Sequence, residues 1–187
     1  VIHVAVITAS YSFLGMGAVL GVINLIMMNF QTEQNSLRIQ NKTEELSRII
    51  ELSMIIGLYL LVTGTMLGAV WANQSWGRYW AWDPKETWAL ITILVYSVIL
   101  HLRIVPGMIN DYALNLLSVV GFSSVIMTYF GVNYYLSGMH SYAKGDPLPI
   151  PPFIYYALVT LLVLAIFSYI NYRKIRKNAV ISNQNRK

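Results

Sequence analysis

The chain has 187 residues, of which 56% are hydrophobic and 11% are charged, and its mean hydropathy is +0.54. A soluble domain carries roughly 25% charged residues, so this composition excludes an ordinary soluble protein and indicates an integral membrane protein. No cysteine is present, which excludes a disulfide, a thiolate metal site and a cysteine nucleophile within the chain. The formal charge of +5 becomes informative once the basic residues are assigned to the two sides of a membrane.

Five segments are predicted to cross the membrane as helices, each of which needs about 20 mostly apolar residues. Four of them contain no charged residue: 4–30, 52–71, 112–135 and 153–172. The remaining span is predicted to run from Pro84 to Val105, about 33 Å of helix. Asp83 suits its N-cap, and Glu86 suits the third helical position of a capping box. The predicted fold class is therefore all-α, a polytopic membrane bundle of five transmembrane helices.

Lysine and arginine residues are distributed unevenly between the two sides of this predicted bundle. Ten fall on one side: Arg38, Lys42, Arg48, Arg103, Arg173, Lys174, Arg176, Lys177, Arg186 and Lys187. The opposite side holds Arg78, Lys85 and Lys144. The positive-inside rule therefore predicts a cytoplasmic C-terminus and an outward-facing tryptophan-rich stretch.

The whole chain, 1–187, is interpreted as one membrane domain and as the C-terminal part of a longer protein, because it opens inside an apolar run. Four connections are predicted: a cytoplasmic loop at 30–48, an outer tryptophan-rich loop at 72–87, an outer loop at 136–152 and a basic cytoplasmic tail at 173–187. Within the first, Asn41 is predicted to cap the second helix. Two Gly-x-x-x-Gly motifs, at 17–21 and 64–68, predict close helix packing.

The three histidines fall at two depths of the predicted bundle. His3 and His140 lie on the outer face, whereas His101 lies about 25 Å along the third helix, in or near the inner half of the membrane. Imidazole is the commonest metal ligand, and haem iron accepts axial histidines. A zinc-hydrolase or two-metal site would lack ligands here, whereas a flat macrocycle between two histidines would need an aromatic floor such as residues 76–88.

A simpler interpretation of these residues stays open at this point. Tryptophan and tyrosine gather at membrane interfaces, so an aromatic belt also explains the five tryptophans near one interface. Asp83 is equally explained as a helix cap, and a single histidine near a bilayer edge is often a hydrogen-bonded interface residue. A belt does not explain the fixed order of residues in "WGRYWAWDPKET".

The stretch "WGRYWAWDPKETWALITILVYSVILHLR" resembles the tryptophan-rich (WWD) domain of haem-handling membrane proteins that assemble c-type cytochromes. The chain most resembles the CcsA (ResC) component of the system II cytochrome c synthase. Histidines matching the family pattern occur in "HVAVITASYSFLGMGAVLG", "ILHLR" and "GVNYYLSGMHSYAKG". A system I protein with the same domain is the alternative within the family.

The resemblance implies a site for haem, a b-type haem handled as substrate or cargo. It implies that His3 and His140 are axial ligands of haem iron at the outer face, and that His101 is a ligand of a second, intramembrane haem. The residues implied to cradle the outer macrocycle are Trp76, Trp80, Trp82 and Asp83. Arg78, Lys85 and Lys144 are candidates for its propionates, although solvated interface residues are the simpler interpretation of each.

The resemblance also implies the function and the partners. The function would be haem delivery across the bacterial inner membrane and haem presentation to an apocytochrome c with a Cys-x-x-Cys-His segment, as part of a haem lyase. The implied partner is a ResB/Ccs1-type membrane subunit, which would supply the other ligand to the haem of His101. No catalytic acid or base is assigned. A haem-b electron-transfer subunit is the main alternative, but it usually needs paired deep histidines, and a transporter would be expected to carry broken spans or midplane charges.

Overall fold

The computed structural model describes residues 2–32, 34–136 and 150–184, and every regular element in these ranges is helical. The elements are α1 (Ile2–Asn29), α2 (Ser36–Trp76), α3 (Pro84–Ile104), α4 (Asp111–Ile126), a π-helical segment (Met127–Gly131), α5 (Val132–Tyr135) and α6 (Pro152–Gln184). Five spans in the described ranges are long and apolar enough to cross a membrane, and α4, the π-helical segment and α5 together form the fourth. The predicted all-α fold with five spans is confirmed.

The sides of the bundle expose apolar side chains rather than polar ones. Val19 of α1 and Leu162 of α6, for example, are 61% and 63% exposed. Hydrocarbon suits such a surface, and helices satisfy their backbone hydrogen bonds internally, as a lipid environment demands. The chain is therefore a multi-pass integral membrane protein.

Helix α1 packs against α2, α4 and α6, and small residues bring these helices close. A Cβ added at Gly64 of α2 would come within 2.6 Å of the Ile7 side chain of α1. A Cβ added at Gly21 of α1 would collide with the hydroxyl of Ser118 in α4. The hydrophobic effect does not drive helices together in lipid, so close van der Waals packing at small residues stabilises their association. The close packing predicted from the two glycine motifs is confirmed.

The start of α2 differs from its prediction. The helix begins at Ser36 with Asn35 at the N-cap position, so Asn41 lies inside it and the prediction of Asn41 as the cap is wrong. The side chain of Asn35 accepts a hydrogen bond from the Thr32 amide (2.7 Å) and donates to the Phe30 carbonyl (3.2 Å). Because these contacts close the turn after α1 within a few residues, most of the 30–48 connection is helical.

Helix α3 begins as predicted. The Asp83 carboxylate accepts a hydrogen bond from the Lys85 amide at 3.2 Å. It also accepts one from the Glu86 amide, and the Glu86 carboxylate accepts one from the Asp83 amide at 3.4 Å, so the capping box is complete. Pro84 takes the first helical position, and the helix ends at Ile104, just before the predicted Pro-Gly stop.

Two of the other predicted connections are shorter than expected, because helices extend into them. Helix α2 continues to Trp76, so the irregular part of the 72–87 stretch starts after that residue. Helix α6 continues to Gln184, through most of the predicted basic tail. Residues 137–149 of the 136–152 loop lie outside the described residues.

The two ends of the bundle carry different side chains. At the end that we call the basic end, Arg103 pairs with Glu51 of α2 (3.3 Å) and Asp111 of α4 (3.0 Å). The opposite end, which we call the tryptophan end, holds the first turn of α1, the last turns of α2 and the start of α3. The tryptophan-rich stretch lies at this second end.

Candidate functional site

A cavity of about 670 Å³ opens at the tryptophan end between α1, α2, α3 and the fourth span. Its walls are mainly apolar and aromatic and include Val4, Ile7, Tyr11, Trp71, Trp76 and Trp80. A volume of this order, with apolar walls and a few polar groups, is typical of sites for small molecules and cofactors. The cavity is therefore the candidate functional site.

His3 stands in the first turn of α1 and lines the cavity. Its ring centre lies 5.3 Å from that of Trp71, with the ring planes inclined by 35°. Gly68 of α2 leaves room for the imidazole, since a Cβ added there would lie 3.6 Å from Cδ2 of His3. Packing against Trp71 and Gly68 restricts the imidazole to few orientations, which a metal-binding side chain requires.

Two of the predicted tryptophans form the wall next to His3. Trp76 ends α2 and contacts Trp71 edge to face, with ring centres 5.0 Å apart and planes at 77°. The chain then reverses at Gly77, whose left-handed conformation (φ 71°) a glycine adopts without strain. This reversal allows Trp80, after the turn, to line the same cavity as Trp76.

Trp82 and Asp83 lie beside the cavity and do not line it. Trp82 is 71% exposed and has a φ of 59°, a left-handed conformation that is uncommon for a bulky residue. Its ring contacts that of Trp80 edge to face, with centres 5.8 Å apart. Asp83 is only 7% exposed, and its carboxylate serves the N-terminus of α3. The structure thus gives Asp83 a capping role.

The π-helical segment brings residues of the fourth span to the cavity. Thr128 and Tyr129 both line it, and Thr128 Oγ1 lies 3.0 Å from Thr92 Oγ1 of α3. Both threonines are buried, so this contact fixes the fourth span against α3. Sequence reasoning missed these residues. The available signal was the presence of Thr128 and Asn133 toward the tryptophan end of a predicted span, where polar groups are costly.

One corner of the cavity is polar. The ammonium group of Lys85 donates a hydrogen bond to Asn133 Oδ1 at 3.0 Å, and both residues line the cavity. Glu86 lines it as well, and its Oε2 accepts hydrogen bonds from the amides of Ala81 (2.8 Å) and Asp83 (3.4 Å). The cavity is thus largely apolar, with an ammonium group and a carboxylate at its polar corner.

His101 lies far from this cavity, in the last turn of α3. It is exposed, and its Nδ1 lies 2.7 Å from the carbonyl oxygen of Ser97. Because a carbonyl oxygen only accepts hydrogen bonds, Nδ1 is the nitrogen that donates in this contact, and Nε2 is the nitrogen that a metal could bind. The helical rise separates His101 from Lys85 by about 24 Å.

The predicted site residues therefore fall into three groups. The structure brings His3, Trp76 and Trp80 together at the cavity, it places Trp82, Asp83 and His101 elsewhere, and His140 lies outside the described residues. Within residues 2–32, 34–136 and 150–184, no three His, Cys, Asp or Glu side chains are grouped as a metal site would need. A single imidazole on an aromatic, apolar wall is compatible with an axial ligand of haem.

The sequence matches a known family along most of this structure. The family model described as "Cytochrome C assembly protein" matches residues 1–140. The match covers α1 to α5 and therefore every described residue that lines the cavity. It also reaches the predicted ligand His140.

Curated relatives give the same result. NrfI of Wolinella succinogenes is 55% identical over 148 residues, which cover 79% of this chain and 16% of NrfI. The cytochrome c biogenesis protein CcsA of Guillardia theta is 38% identical over 158 residues, covering 75% of this chain and 52% of that protein. CcsA of Chlamydomonas reinhardtii is 41% identical over 143 residues, covering 75% and 39%. The chain thus spans about half or less of these relatives' length, and it belongs to the cytochrome c assembly protein family.

Proposed function

We propose that the chain functions in cytochrome c biogenesis by holding haem in the cavity at the tryptophan end and presenting it to an apocytochrome c. The observation that carries the proposal is the arrangement of one histidine, His3, beside Trp71, Trp76 and Trp80 in a cavity of about 670 Å³. Membership of the cytochrome c assembly family supports it. Haem is the substrate in this proposal and not a resident cofactor.

The walls of the cavity fit the chemistry of haem. The macrocycle is flat and apolar, so tryptophan rings offer it favourable contacts, and an imidazole on the wall supplies an axial ligand to the iron. His140 is proposed as the second axial ligand, from the loop that follows the fourth span. Ligation by two histidines would keep the iron coordinated until the histidine of the Cys-x-x-Cys-His segment displaces one of them.

Covalent attachment, in this proposal, is the addition of two substrate thiols to the two vinyl groups of haem. Each sulfur bonds to one vinyl carbon while hydrogen adds to the other, so the step consumes no oxidant. The chain contributes position rather than a nucleophile, because holding vinyl groups next to thiols converts a bimolecular reaction into a local one. Haem lyase activity is proposed for the complete complex with a ResB/Ccs1-type subunit.

His101 is proposed as one ligand of a second haem within the membrane. Its exposed position on α3 and the hydrogen bond from Nδ1 to Ser97 would present Nε2 outward, toward a neighbouring subunit. The other ligand would then come from a histidine of the ResB/Ccs1-type partner. Haem would travel from this site toward the cavity at the tryptophan end.

The proposed orientation follows from the distribution of basic residues. Ten lysines and arginines belong to the side of Arg103 and the C-terminal tail, and three to the side of the cavity. We therefore propose that the cavity lies on the periplasmic side of the bacterial inner membrane and the C-terminus in the cytoplasm, as the positive-inside rule favours. Apocytochrome c would meet haem at the periplasmic face.

The test is the haem spectrum of the full-length protein purified with its partner, together with the yield of holocytochrome c. We expect His3→Ala and His140→Ala each to lose the haem of the cavity and to stop maturation, and exogenous imidazole to restore part of both. His101→Ala removes an imidazole about 24 Å from the cavity, so haem added to the purified protein should still bind in the cavity, whereas maturation, which draws on haem from the His101 site, should fall. Retention of haem and of maturation in all three variants would contradict the proposal.

A further inference from the structure

We infer that Lys85, held by Asn133, is the group that binds a carboxylate of the ligand in the cavity at the tryptophan end. This inference rests on the proposed function and names a contact within it: the carboxylate is a propionate of haem. Lys85 Nζ lies 3.0 Å from Asn133 Oδ1, at the polar corner of an otherwise apolar cavity.

Asn133 fixes the position of the ammonium group. Its own Nδ2 donates to the Tyr129 carbonyl at 2.6 Å, so its Oδ1 is turned toward Lys85. An ammonium group has three donor hydrogens, and the bond to Asn133 uses one of them. Two donors therefore remain for a carboxylate entering the cavity, and a charge-assisted hydrogen bond is among the stronger polar contacts.

The position of Lys85 on α3 is unusual for a cation. Lys85 stands in the first turn of α3, where the helix dipole favours acidic residues and a cation is unfavourable. The two nearby carboxylates are already occupied: that of Asp83 accepts from the Lys85 amide, and that of Glu86 accepts from two amides. The ammonium group of Lys85 hydrogen-bonds to Asn133 rather than to either carboxylate.

Lys85 differs from Arg78, the other described basic residue at the tryptophan end, because it lines the cavity. Among the described residues that line it, Lys85 is the one lysine or arginine. Arg78 belongs to the same tryptophan-rich stretch but does not line the cavity. Arg78 is therefore a matched control, with the same charge at the same end of the bundle.

The experiment titrates the full-length protein, purified with its partner in detergent, with haem and with haem dimethyl ester, which lacks the carboxylates. We expect the parent to bind haem about tenfold more tightly than the ester, as a charge-assisted hydrogen bond would give. Lys85→Gln should weaken haem binding by the same factor and leave ester binding unchanged. Lys85→Arg should retain the preference for haem, and so should the control Arg78→Gln.

The ester is also the folding control, because a misfolded Lys85→Gln variant would lose both ligands. In that case the ratio of haem affinity to ester affinity in the parent protein tests the inference. A parent that binds haem and ester equally, through His3, overturns the inference and leaves the proposed function in place. A parent that binds neither ligand overturns both. Loss of the preference in Arg78→Gln as well as in Lys85→Gln would assign it to general charge and overturn the role of Lys85.

Discussion

At the basic end of the bundle, polar side chains are paired across helices, whereas at the tryptophan end aromatic side chains surround open volume. Arg103 joins α3 to α2 and α4 through two carboxylates, and buried Asn24 and Asn115 bond to each other at 3.1 Å. Ser168 of α6 donates to the Leu25 carbonyl at 2.8 Å, and Asn171 to the Met28 carbonyl at 2.7 Å. These contacts tie five spans together at one end.

The two ends contribute differently to stability and to binding. Polar contacts between helices fix their arrangement in a medium where few other specific forces act. The tryptophan end holds the open cavity, and a binding site of this kind is best supported by helices that are fixed elsewhere. Substitutions at the basic end should change stability, and those at the cavity should change ligand binding.

The largest effect is expected from the tryptophans on the cavity wall. Trp80→Ala should weaken haem binding by about 2–4 kcal/mol, because a large aromatic contact is lost from a binding site. Trp82→Ala removes the same side chain two residues later, outside the cavity, and should weaken binding by less than about 1 kcal/mol. Haem titration of both variants checks this, and equal losses would show that Trp82 also cradles the ligand.

A large effect on stability is expected at Asn115. Its side chain accepts from Asn24 and donates to Ser47 Oγ (3.2 Å) and to the Asp111 carbonyl (2.7 Å). Asn115→Ala should lower the free energy of unfolding by about 2 kcal/mol, since interhelical hydrogen bonds in membranes contribute about 0.6 kcal/mol each and a cavity adds to the loss.

Thr160→Ala is the control for that experiment. It removes an exposed hydroxyl that bonds only within α6, to the Tyr156 carbonyl. Unfolding in a denaturing detergent should separate the two variants, while the haem affinity of each folded protein stays at the parent's value. A haem affinity that falls with Asn115→Ala would mean that the two ends are coupled.

A smaller effect is expected where α1 and α2 approach at the tryptophan end. Gly64→Ala should cost about 1–2 kcal/mol, because the new methyl group would meet the side chain and amide nitrogen of Ile7. Gly68→Ala is the matched control, since its methyl group would meet His3 at an ordinary contact distance. The thermal unfolding temperature should fall for the first variant only, and an equal fall for both would contradict the packing argument.

The smallest effect is expected at Asp83, and it separates a cap from a ligand contact. Asp83→Ala should cost about 1 kcal/mol of stability, whereas Asp83→Asn should cost a few tenths, because asparagine caps helices about as well as aspartate. Haem affinity should be unchanged in Asp83→Asn. A marked loss of haem in this variant would return Asp83 to the cradle that the family resemblance implies.

The parts of the fold that depend on local sequence were predictable. Apolar runs of sufficient length predicted the spans, and the series Asp83, Pro84 and Glu86 predicted the start of α3, because a cap uses neighbouring residues. The predicted start of α2 at Asn41 was wrong because the turn before the helix is closed by Asn35, whose side chain donates a hydrogen bond to the Phe30 carbonyl at the end of α1. The polar 30–48 stretch contains several residues that suit a turn, so residue type alone did not identify this one.

The candidate site was only partly predictable, for a similar reason. His3 and the tryptophans stood out by residue type, but the pairing of Lys85 with Asn133 joins residues 48 positions apart. The π-helical segment that brings Thr128 to the cavity follows from tertiary packing and leaves no periodic signal. The outward direction of Trp82 depends on one backbone torsion angle, which residue type does not predict.

The most direct test of the central claim, that His3 ligates haem in the cavity at the tryptophan end, is a redox titration of the haem in His3→Met. A methionine in place of one histidine raises the reduction potential of a bis-histidine haem. We predict a higher midpoint potential for the haem of the cavity, or its loss, with no change in His101→Met at that site. Full haem content with an unchanged midpoint potential in His3→Met would contradict the account.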